Sequence, residues 1–185
     1  PSKESLLTWS DIETLQERFG VSDSMVFIDA GYNTSEVYAS CALHGWTALM
    51  GTGRPGFPHK IADGNGLKRG VERYYSQVKR VKVTGNKPCR LHYFSNLNAK
   101  DTLNALRSNQ DPEAGATWEV YPGVPEWYLK QMDSEVREKK GNTWVWSQVG
   151  GRANHIWDVE VQAVVAAYML KLVGRESAKV LTFED

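Results

Sequence analysis

The sequence predicts an α/β fold, a sheet with helices packed on its faces. Three observations carry this. The apolar run Met25-Val26-Phe27-Ile28 stops at Asp29 and reads as a strand buried on both faces, hence a central one. A helix start follows at Asn33-Thr34-Ser35-Glu36-Val37-Tyr38, with Asn33 in the capping position. A second apolar run, Trp46 to Met50, closes the set. A strand, a helix and a strand with short joints make a parallel crossover unit.

The remaining elements follow in order. Ser10-Asp11-Ile12-Glu13 reads as a capping box that opens a helix running to Phe19, with Gly20 as its stop. Asp23 is a turn residue. The helix after Asp29 covers about 34–43 and ends at His44-Gly45. Gly51-Thr52-Gly53-Arg54-Pro55-Gly56 lacks the Gly-Lys-Ser/Thr ending of a phosphate loop, and no capped helix follows it, so a plain loop is expected. Cys89 to Ser95 alternates as a strand. Asn96 or Asn98 caps a helix over 99–107, and Asp111 to Gly115 is a loop. Pro125 opens a helix expected to reach Lys139, with Gly141 beyond it. Thr143 to Trp146 is a short strand and Gly150-Gly151-Arg152 a joint. The last helix is expected over 155–173, with Val161, Val165, Tyr168 and Leu172 on its apolar stripe.

At 185 residues the chain fits a single domain with a real core, and 41% apolar and 24% charged residues are ordinary for a globular protein. No stretch reaches the length of a membrane span, and no signal-peptide pattern opens the chain. Cys41 and Cys89 have no metal-type spacing, so a reduced, cytoplasmic setting is the default. Pro1 rather than Met comes first, which suggests a piece of a longer chain.

Net charge is zero, but its distribution is uneven. Lys60, Lys68, Arg69, Arg73, Lys79, Arg80, Lys82, Lys87 and Arg90 face only Asp63 and Glu72 within one segment, leaving it at +7 and the remainder at −7. Such a concentration suits a phosphate backbone, or else is a solvated basic hairpin. Lys68, Arg69, Arg73, Lys79, Arg80 and, further on, Arg152 are the candidate DNA-binding residues.

Two carboxylates stand out. Asp29 ends a strand, on the sheet edge where open α/β proteins collect ligands; a turn-capping role is the plainer alternative. Asp158 lies three and seven residues before Val161 and Val165, which puts it on the buried side of the last helix; a dipole-stabilised acid at a helix start is the alternative. If that helix crosses the carboxyl edge of the sheet, the two acids face each other. Close, buried like charges repel, and a divalent cation relieves that cost. Hard oxygen donors suit Mg²⁺ or Mn²⁺, and such a site activates water against a phosphodiester. His155 sits just before Asp158, as a ligand or proton carrier or simply a capping histidine. Zinc fits poorly, since neither cysteine is near and no second histidine has ligand spacing.

At these residues the chain resembles a known family. Phe27 to Tyr38 resembles the strand-helix element in the nuclease domain of tailed-phage terminase large subunits, the phage-lambda type in particular. Leu91 to Arg107, with Ala99-Lys100-Asp101, is similar to its strand and Ala-Lys-Asp/Glu helix. Leu129-Lys130-Gln131-Met132-Asp133-Ser134-Glu135 is similar to its Gln-Leu-Thr-Ala-Glu helix. Arg152-Ala153-Asn154-His155-Ile156-Trp157-Asp158 resembles its Arg-Asn-Glu-x-x-Asp signature, with His155 in place of the usual glutamate.

The resemblance implies an RNase H-like mixed sheet and metal-dependent cutting of concatemeric double-stranded DNA in the host cytoplasm. Asp29 and Asp158 would be metal-holding acids, with His155 beside them. It implies the terminase ATPase domain, the small terminase subunit and the portal protein as partners. The departures are specific: nothing before Asp29 looks like the strand hairpin that carries the family's first acid, and Ser95-Asn96-Leu97-Asn98 stands where an aspartate is often found. The ATPase half is absent from these residues. Two functions therefore stand: an Mg²⁺- or Mn²⁺-dependent endonuclease domain, and a non-catalytic DNA- or protein-binding module on an RNase H-like core. A junction resolvase is disfavoured by the Arg-x-Asn-x-x-x-Asp match.

Overall fold

The computed structural model describes residues 8–62, 68–85 and 87–172. In chain order the elements are α1 (Trp9–Phe19), β1 (Phe27–Asp29), α2 (Thr34–His44), β2 (Thr47–Thr52), β3 (Phe57–Ala62), β4 (Lys68–Arg73), β5 (Lys79–Val81), β6 (Cys89–Ser95), α3 (Asn96–Ser108), α4 (Glu126–Met132), β7 (Glu135–Lys140), β8 (Thr143–Gln148) and α5 (His155–Met169). They divide between two compact units, one formed by residues 1–51 and 76–93, the other by 52–75 and 94–185.

The first unit holds a mixed sheet in the order β1-β2-β6-β5. β1 and β2 run parallel, with Phe27 opposite Thr47 and Asp29 opposite Leu49, and β5 runs antiparallel to β6. The crossover unit read from the sequence is thus present, with α2 as its helix. The position of β1 is a correction: among the described residues it is an edge strand, not a central one. The apolar run is longer than the strand it makes. Met25 belongs to a short 3₁₀ turn, Asp23–Met25, and is exposed, while Phe27 and Ile28 are only half-buried.

The core of this unit gathers Val37 and Cys41 of α2, Trp46 and Ala48 at β2, and Cys89 and Leu91 of β6, with Trp9 and Ile12 of α1 packed against it. The Trp46 indole is fully buried and donates its N–H to Gln16 Oε1 at 2.8 Å, so a large ring enters the core without stranding a donor. The capping box of α1 lies two residues earlier than expected. Thr8 is the cap, and the Asp11 carboxylate accepts from the Thr8 backbone N–H at 2.9 Å. Gly20 ends the helix at φ 63°, as its position suggested. Helix α2 begins at Thr34 as expected, but the Asn33 side chain caps no backbone group; its amide donates to the Glu36 carboxylate instead.

Both cysteines are free and buried. Burial pushes the Cys41 thiol up from 9.0 to about 12, and the Cys89 thiol also rises. A thiol held neutral in the fold but free to ionise in the unfolded chain stabilises the native state below the unfolded value, and that contribution is lost as pH climbs from 9.0 toward about 12. Stability measured by urea melts is expected to fall over that window. Iodoacetamide at pH 8 should leave both thiols unmodified until the chain unfolds, because the thiolate is the reacting form.

Among the described residues, the second unit contains two hairpins and three helices. β3 pairs antiparallel with β4, and β7 with β8. The helix expected from Pro125 to Lys139 is only seven residues long, Glu126–Met132, and Glu135–Lys140 is a strand. Gly141 at φ 61° opens a two-residue turn between Lys140 and Thr143, which are paired. A glycine with positive φ suits both a helix stop and the first place in a hairpin turn, and here it makes the second.

Helix α3 is capped by Ser95, whose hydroxyl accepts from the Asn98 N–H at 3.4 Å, rather than by Asn96 or Asn98. Helix α5 buries Trp157, Val161, Val164 and Val165 and ends at Met169. Leu172, expected on its apolar stripe, lies past the helix and is 68% exposed; Val173 lies outside the described residues. Among the described residues no helix is long and apolar enough to cross a membrane.

Candidate active site

Three stretches far apart in the sequence meet in the second unit, and each is held there by local chemistry. The Ser95 cap sets the start of α3 and places Lys100 and Asp101 in its first turns. The shortness of α4 frees Glu135 to begin β7. At the start of α5, the Ile156 N–H donates to Gln131 Oε1 at 3.0 Å and the Asp158 N–H to the Asn154 carbonyl at 3.0 Å. The first satisfies an N–H that a helix start otherwise leaves open, and the second is the first regular bond of the helix.

Lys100 Nζ lies 2.8 and 2.7 Å from the two Glu135 oxygens and 3.5 Å from Asp158 Oδ1. The Asn154 amide donates to Glu135 Oε1 at 2.9 Å and to Asp158 Oδ2 at 3.0 Å. One ammonium and one amide therefore bridge the same two carboxylates. Glu135 and Lys100 are largely buried, at 6% and 13% side-chain exposure, while Asp158 keeps 41%. Asp158 is thus only partly on the buried side of α5, as a residue between the buried Trp157 and the exposed Val159 would be.

A second set of bonds seats the β7–β8 hairpin on α3. Arg137 grips Asp101 in a fork, Nε to Oδ1 at 2.7 Å and Nη2 to Oδ2 at 2.8 Å. The Trp146 indole, cross-strand from Arg137, donates to Asp101 Oδ1 at 2.8 Å. Asp101 is 5% exposed, so its charge is neutralised and hydrogen-bonded where it is buried.

The other candidate residues are distributed as follows. Asp29, in the first unit, is exposed at the end of β1, and its Oδ1 accepts the Gly31 N–H at 2.8 Å, the turn-capping contact weighed from the sequence. A Cβ at residue 31 would come within 3.2 Å of that oxygen, so glycine suits the close approach. His155 is exposed at the first position of α5. Arg152 is exposed and donates to the Asp133 carbonyl at 3.3 Å.

The basic segment is not one element. Lys68, Arg69 and Arg73 lie on β4 in the second unit, Lys79 and Arg80 on β5 in the first. The side chains of Lys68 and Arg69 lie outside those described. Arg73 donates to the Tyr75 hydroxyl at 2.6 Å, and Lys79 sits 4.7 Å from the centre of the Tyr93 ring. Arg80 and Arg90 stand directly opposite each other on β5 and β6, both exposed. Like charges in that arrangement repel, and an anion shared between them relieves the repulsion.

Glu135 and Asp158 offer the hard oxygens that Mg²⁺ and Mn²⁺ take. Among the described residues, no group of three or more His, Cys, Asp or Glu side chains is gathered in a way that could hold a metal. The set therefore matches such an ion in donor type but not in number, with two carboxylates gathered and both Glu135 oxygens held by Lys100. Lys100, Glu135 and Asn154 were not singled out as site residues from the sequence, although each lies inside a stretch quoted for the family resemblance. Glu135→Gln is expected to lower nuclease activity about 10- to 100-fold, because Glu135 holds Lys100 and Asn154 beside Asp158. A plasmid-nicking time course checks this.

Carboxylates gathered with a lysine and an amide at a helix start are equipment suited to hydrolysis at a phosphodiester. The family model for the terminase large subunit gpA endonuclease domain matches residues 10–178, and the chain belongs to that family. The membership makes it a nuclease domain of the DNA-packaging machinery. No curated protein and no solved structure matches the chain.

Proposed function

We propose that this chain is a single, RNase H-like nuclease domain that cuts concatemeric double-stranded DNA with Mg²⁺ or Mn²⁺. The family match and the convergence of Lys100, Glu135, Asn154 and Asp158 support the reading. Asp158 and Asp29 are the proposed metal ligands. A bound divalent ion supplies activation of water and charge neutralisation at the phosphate. Asn154 fixes the Asp158 carboxylate from one side and Lys100 offsets its charge from the other. His155, exposed at the start of α5, is the proposed proton carrier to or from solvent. The ATPase domain, the small subunit and the portal are the proposed protein partners, and the host cytoplasm the proposed setting.

The test is nicking of supercoiled plasmid in Mn²⁺. Wild type should nick, and Asp29→Asn and Asp158→Asn should not. Equal nicking by all three would assign the activity to a contaminant.

The basic residues Arg73, Lys79, Arg80 and Arg152, with Lys68 and Arg69, are the proposed backbone contacts, and Arg90 joins them as the partner of Arg80. DNA binding should weaken steeply with salt. The double variant Arg80→Ala/Arg90→Ala should reduce the slope of log K against log salt by about 2, roughly one for each phosphate no longer neutralised. An unchanged slope in a filter-binding titration removes this pair from the interface.

One observation favours a second reading, a binding module without catalysis: only two carboxylates are gathered among the described residues. Calorimetry separates the two, since only the nuclease requires Mn²⁺ binding.

A further inference from the structure

We infer that Arg54, on the loop joining β2 to β3, is a phosphate contact that seats the DNA backbone on the unit holding Lys100, Glu135, Asn154 and Asp158. The inference rests on the nuclease reading above for its ligand, DNA, and adds a residue that holds it. It depends on no metal ion.

The loop is fastened on both sides of this residue. Before it, the Thr52 hydroxyl donates to the Phe94 carbonyl at 3.3 Å and accepts the Arg54 N–H at 3.2 Å. After it, the Asn98 amide donates to the Pro55 carbonyl. A Cβ at residue 56 would run into the Glu72 carboxylate, so glycine lets that side chain close over the loop. Pro55 confines the backbone of Arg54 to extended conformations. A contact built on a fixed backbone loses less entropy on binding than one on a loose segment.

The side chain itself is uncommitted. Arg54 is exposed, and among the described residues its guanidinium has no hydrogen bond, ion pair or ring contact. Arg107 and Arg137 of the same unit, by contrast, are bound to Asp133 and Asp101. A Cβ at Gly53 would meet nothing within 4 Å, so the loop is open where a phosphate would approach. The planar guanidinium fork matches two phosphate oxygens. Asn98, which holds Pro55, stands two residues before Lys100 on α3. A strand held at Arg54 is therefore registered against the helix that carries the lysine of the cluster.

The test is filter binding of duplex DNA to the whole chain across a range of salt, in EDTA, with Arg54→Gln and Arg54→Lys beside wild type. Arg54→Gln should flatten the slope of log K against log salt by about 1. At low salt it should bind at least about tenfold more weakly. Arg54→Lys should keep the wild-type slope, because the charge remains. In plasmid nicking with Mn²⁺, Arg54→Gln should raise KM and leave kcat in place, as loss of a contact made equally in the ground and transition states does. Arg18→Gln controls for charge alone: Arg18 is exposed on α1 in the first unit, and its loss should leave the slope unchanged.

An Arg54→Gln slope and affinity equal to wild type overturns the inference, and so does an equal loss in Arg18→Gln. A fall in kcat at constant KM overturns it too, since Arg54 would then act in the chemical step. If wild type nicks while Arg54→Gln binds DNA unchanged, the nuclease reading stands and the role of Arg54 alone falls. If the slope drops by about 1 in a protein that never nicks, the phosphate contact stands and the nuclease reading falls.

Discussion

Replacing Asp158 with asparagine is expected to slow plasmid nicking at least about a hundredfold while barely moving the melting temperature, since transition-state charge groups commonly contribute that much. The separation of the two readouts follows from the surroundings of Asp158. Asparagine keeps an oxygen that can accept from the Asn154 amide, now 3.0 Å from Asp158 Oδ2, and it keeps the shape at the start of α5. The Lys100 ammonium stays on Glu135 at 2.7 and 2.8 Å, so no buried charge is left alone. What disappears is a partly exposed negative charge near a helix N-terminus, which contributes about 0.3–1 kcal/mol to stability. The same charge is the one proposed to bind metal. A variant that melts like wild type and nicks like wild type would remove Asp158 from the chemistry.

Asp101→Ala should do the reverse, lowering stability by about 3–5 kcal/mol, the usual result of removing one partner from a buried ion pair. The substitution removes the carboxylate to which both the Arg137 guanidinium and the Trp146 indole N–H are bound, and leaves that indole N–H without this acceptor. In a chain of this size the melting temperature should drop by about 10 °C. Asp101→Asn keeps an acceptor for Trp146 but loses the charge-assisted fork, and should cost about 1.5–3 kcal/mol. Thermal melts of the two variants rank these effects. A loss below about 1 kcal/mol for alanine, a surface-pair value, would mean that the hairpin is held by something else.

Much of this was legible in the sequence, and the failures have physical causes. The crossover of β1, α2 and β2, the strand Cys89–Ser95 and the start of α5 were all marked by apolar runs and by caps or glycines at their ends. The hairpin was not. Glu135 to Lys140 carries a single apolar residue, Val136, so it shows no alternation. Gly141-Asn142, the actual turn, looks the same as the end of a helix. Reading 135–139 as helical hid Glu135 among other charged residues of a solvated face. Its importance appears only when it begins a strand beside Lys100. The placement of the basic run was also hidden. Charge counted along the chain does not say that Arg73 and Arg80 belong to different compact units, nor that Arg73 is bound to a tyrosine hydroxyl. Asp29 sits at a strand end as expected, but a three-residue strand can lie at the rim of a sheet even when the apolar run around it is longer.

Lys100 and Asp101 are consecutive on α3, yet one grips the first residue of β7 and the other the third. The hairpin is thereby fastened at two neighbouring points along its base, as a crank is keyed to a shaft. A load on its Gly141 tip is carried back to Glu135, so the acid's position and the ribbon's attitude shift as one.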